Sequence, residues 1–593
     1  MIFIEKRLLF GTEIASFSVK TAKNSYKSRL LYYFFQIIDN KPIYTIFCVC
    51  YTMYILYIRW NMGNYVLAYD VGTTGIKTCL IEIDKSIKIL SAASQGYQLY
   101  VLPGGGAEQD PEEWWDAMKA TTRRIFENSS VKPEQIEGIS FCSQAQGLVL
   151  VDRDGVPVHR AFSYMDQRAT KEIKDGIRFG LQIEGANVFR LLKSLAITGA
   201  APLSVKDPLW KYLWLKNNEP ENFARVYKWL DVKEYLIGRM TDEFVLTHDS
   251  AFGTMLYDLK NKCISKSMCK MFGIDVKHMP RLIESTECAG TLTEKAAEAL
   301  GLVKGIKVYG GGMDANLIGV GAGSTGLGDT HIYSGTSGWV GTITDKPTVD
   351  VTSMIAAVVA AQPGRYNYFA ELETSGKCFE WVKDHIALDE CGIYIQKKHI
   401  TDDIESKYLS LFSYMTSIVD DIPAGSGGVI FTPWLHGNRC PFEDPNARGM
   451  FFNISLETGK TELIRAVLEG ICYHKRWMLE ASAKKVKPSD VIRFVGGGAL
   501  SDFTCQVLAD ITGHVIETVD NPQNIGAVGA AACVGVGLGI IPSFDEIKKF
   551  IPVKKTFNPN FELKEKVYDK GFEVFKSLYK QNKKNFAILN ANK

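Results

Sequence analysis

The chain has 593 residues, of which 46% are hydrophobic and 23% charged, enough for roughly two to four domains that each bury a core. Collagen, wholesale disorder and a polytopic membrane protein are excluded. Lysine plus arginine number 68 against 66 acids, a formal net charge of +2, so the balance carries no electrostatic footprint for a nucleic-acid partner, and none is expected.

In chain order, the first feature is a break in composition near residue 61. Residues 1–61 hold eight basic and three acidic side chains and 14 of the 67 aromatics, about twice the density of the remainder. Pro42 to Ile58 is uncharged and crowded with Tyr44, Tyr51, Tyr54 and Tyr57, ahead of Arg59 and Trp60. Residues 42–60 are thus marginally long for a transmembrane helix, which needs ~20 apolar residues, and their edges suit a bilayer interface. No small-residue cleavage site follows. The plainer reading, preferred here, makes residues 1–61 an extension upstream of the true start, because Met62 directly precedes the buried-strand pattern Tyr65 to Tyr69. Membrane association is expected only if 42–60 is a genuine anchor. Thirteen scattered cysteines with no repeated Cys-x-x-Cys show neither a zinc site nor a disulfide framework and suit a reducing, cytoplasmic location.

From residue 65 the pattern is α/β: short apolar runs, glycine-rich turns, amphipathic stretches. Tyr65 to Tyr69, the run Asp70-Val71-Gly72-Thr73-Thr74-Gly75-Ile76-Lys77, and Thr78 to Ile83 read as a hairpin. Asp110 caps and Pro111 opens a helix through Trp114, Met118 and Ile125. Gly138 to Ser143 and Gly147 to Val151 read as strands with Gln144-Ala145-Gln146 between them. A helix follows over Val232 to Arg239; later, a strand ending at Tyr309 breaks into glycines and delivers Asp314 at the head of a helix. Ile332 to Ile343 repeats the strand, Gly-Thr-x-Gly turn, strand device at Gly335-Thr336-Ser337-Gly338. Two such hairpins, about 260 residues apart, imply two similar α/β halves facing one another across a cleft. Val491 to Val495 leads into Gly496-Gly497-Gly498-Ala499 and a helix entered at Ser501-Asp502. The tail at Lys580, Lys583 and Lys584 reads as a solvated helix end.

Both Gly-Thr turns let backbone N–H groups approach a phosphate, and their hydroxyls add donors. Neither is a Walker loop, since Ile76 precedes Lys77 where glycine is required. Gly321 to Gly326 formally matches the dinucleotide fingerprint but follows a helix instead of a strand. Asp70 and Asp314 stand at strand ends beside glycines, where an aspartate taken singly is as commonly a turn former or cap. Across a cleft they divide into roles: one holds Mg²⁺ directly or through water, the other accepts a hydroxyl proton.

The runs at 70–77, Gly311-Gly312-Met313-Asp314, 335–338 and Gly496 to Ala499 with Gln506 and Asp510, together with Lys211 to Leu215, Gly449 to Phe451 and Ala466 to Gly470, resemble the FGGY carbohydrate kinases, collinearly over roughly 65–545. The resemblance implies an α/β chain of two actin-like (ribonuclease H-like, ASKHA) domains with ATP and a small sugar in the central cleft, ATP and Mg²⁺ being co-substrate and cofactor. Boundaries at 62–308 and 309–593 are expected, the latter ending in a helix and basic tail; homodimerisation is left open. By position, Asp314 resembles the catalytic base and Asp70 the residue beside metal and phosphates. Thr73, Thr74, Gly75, Lys77, Gly335 and Thr336 resemble the phosphate turns; Gly376, Glu380, Gly498 and Asp502 the nucleotide site; Ala145, Gln146, Asp314 and Ala315 the sugar site. Within the family, Ala107 to Trp115 is most similar to xylulose kinases and their gluconate-kinase neighbours. A pentulose such as D-xylulose is therefore the expected acceptor, with gluconate, glycerol or ribulose as alternatives. Departures occur at Ala145-Gln146, where Met-His is usual in xylulose kinases, at Tyr164 for Trp, and at Asn438 and Gln523 for Glu. The competing reading is a non-catalytic ATP-binding sensor of the same fold, tethered through 42–60.

Overall fold

The computed structural model describes residues 63–183, 185–382, 385–386, 416 and 418–591. The candidate membrane stretch 42–60 and Met62 lie outside the described residues. Among the described residues, no helix is long and apolar enough to cross a membrane, and ten cysteines are unbridged.

An unbroken apolar strand must be covered on both faces, and β1 (Asn64–Val71) is. It pairs antiparallel with β2 (Gly75–Ile83), which pairs with β3 (Ile87–Gly96). The helix α1 (Pro111–Glu127) begins as predicted, Asp110 accepting from the Glu112 N–H with Pro111 in the first turn. Its Trp114, Trp115, Met118 and Ile125 pack against Leu67, Tyr69 and Leu80 of the sheet, each burial worth about 1.5–3 kcal/mol of transfer free energy. The strand β4 (Ile136–Ser143) runs parallel to β1. Among the helices that follow are α2 (Pro208–Asn218), α3 (Val232–Thr241) and α4 (His248–Gly253). While α3 shares the core of α1, α2 and α4 build a separate core with Leu148 and Trp229. With β5 (Cys288–Thr291) and β6 (Lys307–Tyr309) the sheet order is β5-β6-β4-β1-β2-β3, and the two-residue β7 (Gly312–Met313) also pairs β4.

The helix α5 (Asp314–Gly321) leads to the second sheet. A hairpin of β8 (Thr330–Ser334) and β9 (Gly338–Thr344) is extended by β10 (Val349–Asp350), β11 (Ile355–Val359) and β12 (Tyr366–Leu372). Then come α6 (Gly376–Val382), the long α7 (Lys460–Ala483), β13 (Val491–Val495), α8 (Asp502–Thr512), β14 (Val515–Val519), α9 (Ile525–Gly537), β15 (Val553–Phe557) and α10 (Asp569–Asn590), which carries the basic tail. The order is β10-β11-β12-β9-β8-β13-β14-β15.

Both sheets share one device. The sequences β3-β2-β1-β4-β6 and β12-β9-β8-β13-β14 are each an antiparallel meander of three strands followed by two parallel ones. The repeat visible as two Gly-Thr turns is thus a repeat of a whole sheet. Between the sheets α5 and α9 cross in backbone contact: a Cβ on Gly529 would meet Leu317 O at 2.0 Å, and one on Gly321 would meet Ile525 O at 2.1 Å. Only glycine fits there. The run Gly321 to Gly326 is the end of α5 and the loop after it, so the dinucleotide fingerprint lacks its strand.

Candidate active site

The hairpin of β1 and β2 closes tightly, the Gly72 N–H donating to Gly75 O at 2.9 Å. In its register Asp70 faces Lys77. Lys77 Nζ donates to the backbone carbonyl of Gln523 at 3.2 Å, joining this turn to the entrance of α9. Thr73 O accepts from Gln109 Nε2 at 2.6 Å, and Gln109 Oε1 accepts from Gln144 Nε2 at 2.9 Å. A ladder of two glutamines therefore runs from the phosphate-sized turn to the 144–147 loop. Thr74 is exposed at the tip, with Thr73 and Gly75 half-buried beside it.

The second wall is assembled from backbone. The first turn of α6 docks on the turn after β8: Gly376 N donates to Gly335 O at 2.8 Å, and Ser375 N to Thr336 O at 3.0 Å. A Cβ on Gly376 would stand 2.5 Å from Gly335 O. From the other side Gly496, at φ +92, and Gly498 press on Ser334, within 2.6 and 2.9 Å of any added Cβ. Gly335, Thr336, Gly376 and Gly498, four of the positions expected at the nucleotide, thus form one contiguous surface. Glu380 lies on α6, half-buried. Asp502 opens α8 with its carboxylate ion-paired to Lys555 Nζ at 2.5 Å.

Asp314 is the first residue of α5. The Ala315 N–H donates to its Oδ1 at 2.7 Å, and Ala315 O is held by Asn367 Nδ2 at 2.9 Å. Buried Asp249 accepts from the Met313 N–H at 2.8 Å and from Asn316 Nδ2 at 3.2 Å, pinning the turn that presents the carboxyl. Burial, reinforced by Asp70, Glu371 and Asp249, pushes the Asp314 pKa up to about 7, against the pull of the Ala315 N–H. Asp314 is nonetheless half-open by surface area, as a group on a cleft wall is. A carboxyl that ionises near neutrality is suited to accept a hydroxyl proton.

Asp70 belongs to the same cluster. Asp70 and Asp314 both raise the Cys142 thiol of β4 and the Tyr333 phenol of β8, on top of burial. Gly526, at the start of α9, lies over Asp70 and Cys142, a Cβ there meeting Asp70 Oδ2 at 2.9 Å. Neighbouring carboxylates repel, and a divalent cation relieves that repulsion. Among the described residues there is no group of three or more His, Cys, Asp or Glu placed to hold a metal; Mg²⁺ commonly takes one or two carboxylates and completes its shell with phosphate oxygens and water. Asp70 is the residue that would hold it.

The expected sugar-side turn is held by buried charge. Gln146, at φ +60, donates its N–H to Asp231 Oδ2 at 3.0 Å, and its carbonyl accepts from Lys211 Nζ at 3.0 Å. The same ammonium reaches Ser163 O at 2.9 Å, beside Tyr164, whose hydroxyl bonds Thr73. Lys211 is fully buried; burial draws its pKa down to about 8 while Asp166, Asp207 and Asp231 pull it up. Ala145, next to Gln146, is half-buried. Residue-by-residue reading missed Lys211, Asp231, Asp249 and Gln109 as supports; the signal for Lys211 was a lysine inside the apolar run Leu209 to Leu215.

Two glycine turns, a carboxyl that interacts with Asp70 beside one of them and with Tyr333 beside the other, and a duplicated sheet define a two-lobed α/β frame. Comparison with known proteins agrees. The model of the FGGY family of carbohydrate kinases, N-terminal domain, matches residues 65–321, and that of the C-terminal domain matches 331–538. The chain belongs to the FGGY family of carbohydrate kinases and has its two-domain α/β fold. It is 28% identical to a xylulose kinase of Bacillus subtilis over 522 residues, 88% of this chain and 97% of that one. It is 27% identical to a gluconokinase of the same organism over 497 residues, 83% and 91% of the two chains. The crystal structure of ligand-bound xylulose kinase from Lactobacillus acidophilus superposes with a TM-score of 0.75 at 26% identity, over 89% of this chain and all of that one.

Proposed function

We propose that this carbohydrate kinase transfers the γ-phosphate of ATP to a hydroxyl of a pentulose, D-xylulose first among them, in the cytoplasm. The observation that supports the reading is the cluster of Asp314, Asp70 and Tyr333, in which Asp70 lies near the end of the strand before one glycine turn and Tyr333 in the strand before the other. The similarity to xylulose kinases supports the acceptor. Asp314 acts as the base on the sugar hydroxyl, and Thr73, Thr74, Gly75, Lys77, Gly335 and Thr336 grip the phosphates. Gly376, Glu380, Gly498 and Asp502 line the adenosine end, and Ala145, Gln146 and Ala315 border the sugar. Mg²⁺ at Asp70, when bound, neutralises charge that develops on the phosphates. Phosphoryl transfer asks little covalent chemistry of protein, so positioning and charge stabilisation dominate. We place the division between lobes near 308/309, towards the end of β6, with 1–61 as a separate extension. A coupled assay of ADP release over pentuloses, hexuloses, polyols and aldonates tests the reading. Highest kcat/KM with D-xylulose is expected; ADP release that no sugar stimulates would refute it in favour of a sensor.

A further inference from the structure

The strand that steadies the base's neighbour also brings charge to the cleft. Asn367 of β12 holds Ala315 O, so its face of the strand looks onto α5 beside Asp314. Glu371 lies four residues on, on that same face, opposite Trp339 of β9, whose ring stacks on Tyr333 at 4.1 Å between centroids. Glu371 Oε2 accepts from Arg439 Nη1 at 2.8 Å. The Arg439 side chain remains 54% accessible and that of Glu371 27%, so the pair is reached by solvent. Asn438, where the family commonly has Glu, is buried and fastens the arginine's loop by donating to Cys440 O and Phe442 O. Glu373, Asp207 and Glu443 also face the guanidinium, and from the first lobe Tyr164 faces Asp314, Glu371 and Glu373. A surplus of carboxylates thus surrounds a guanidinium that is already engaged.

We propose that the Glu371–Arg439 pair acts as a charge filter on the sugar side of the cleft, admitting uncharged polyhydroxy substrates and rejecting sugar acids. An acceptor bearing a carboxylate is best recognised by an open guanidinium fork. Here the acid must break an existing pair or lie unpaired among carboxylates, a repulsive element of the kind that sets specificity. A neutral ketose brings only hydroxyls and meets no such barrier. The inference rests on the sugar-kinase reading and sharpens it, since both xylulose and gluconate kinases are among the chain's relatives.

The test compares kcat/KM for D-xylulose and D-gluconate, and calorimetric binding of each to the full chain with a non-hydrolysable ATP analogue, in wild type, Glu371→Gln and Glu373→Gln. Wild type should favour D-xylulose by both readouts. Glu371→Gln releases the fork and removes one negative charge, and should move the ratio towards gluconate by about tenfold, the effect of one partly screened charge, with KM for ATP unmoved. Glu373→Gln should move it less, in the same direction. A ratio unchanged in both variants, or a wild type that prefers gluconate, overturns the filter. Should neither sugar stimulate ADP release, the kinase reading fails separately, and the binding ratios decide the filter by the same criteria.

Discussion

On the first wall of the cleft, the Gln146 loop is held by Lys211 and Asp231, buried ions whose hydrogen bonds end on backbone atoms. On the second wall, the Gly335 turn is held by other backbone, with Gly376, Gly496 and Gly498 in places no Cβ could occupy. The strand order is the same on both sides, yet one loop depends on charge and the other on the absence of side chains. The difference suits the guests proposed for the two loops: a sugar is recognised by directional hydroxyl contacts, whereas a polyphosphate is recognised by close approach of N–H groups.

The comparison can be broken from either side. Lys211→Met should have the largest structural effect, because the carbonyls of Gln146 and Ser163 would both lose their donor; each buried acceptor left unsatisfied costs about 1–3 kcal/mol. Thermal melting should register that loss, and steady-state kinetics a KM for sugar raised well above that for ATP. Gly376→Ala should do the reverse. Its methyl would be driven into Gly335 O, and overpacking of about 1–3 kcal/mol should raise KM for ATP roughly tenfold while KM for sugar stays near wild type. If both variants change the two KM values alike, the division of labour between the Gln146 loop and the Gly335 turn is wrong.

A smaller effect concerns pH. The Asp314 pKa is raised from 3.8 to about 7 on folding, so the folded state binds more protons over that interval and the group's stabilising contribution, complete below pH 3.8, is lost as pH rises through 7. Melting of Asp314→Asn against wild type should therefore show a difference growing in the variant's favour between pH 5 and pH 8. Wild-type kcat/KM should rise over the same range as the base ionises. A pH-independent melting difference would mean that the carboxyl is not desolvated.

Much of this frame was legible from residues alone. The two hairpins announced themselves because apolar strands flank Gly-Thr turns, Asp110 and Pro111 set the start of α1, and the glycines before Asp314 marked the head of α5. The run at 321–326 could be set aside because it lacked a preceding strand. The charges around the sugar side were not legible. Asp207, Glu371 and Arg439 come from separate loops and strands, and only the folded arrangement of the two lobes brings them together. A buried lysine likewise reads as one solvent-facing residue among apolar neighbours until its two carbonyl partners are seen.

The central claim is that Asp314 takes the proton from the acceptor hydroxyl at the meeting point of both walls. Its most direct test is sugar-dependent ADP release by purified Asp314→Asn, with ATP affinity measured in parallel. Loss of general-base assistance predicts a fall in turnover of about 10²–10⁴ with ATP binding retained. Turnover equal to wild type, at equal ATP affinity, would contradict it.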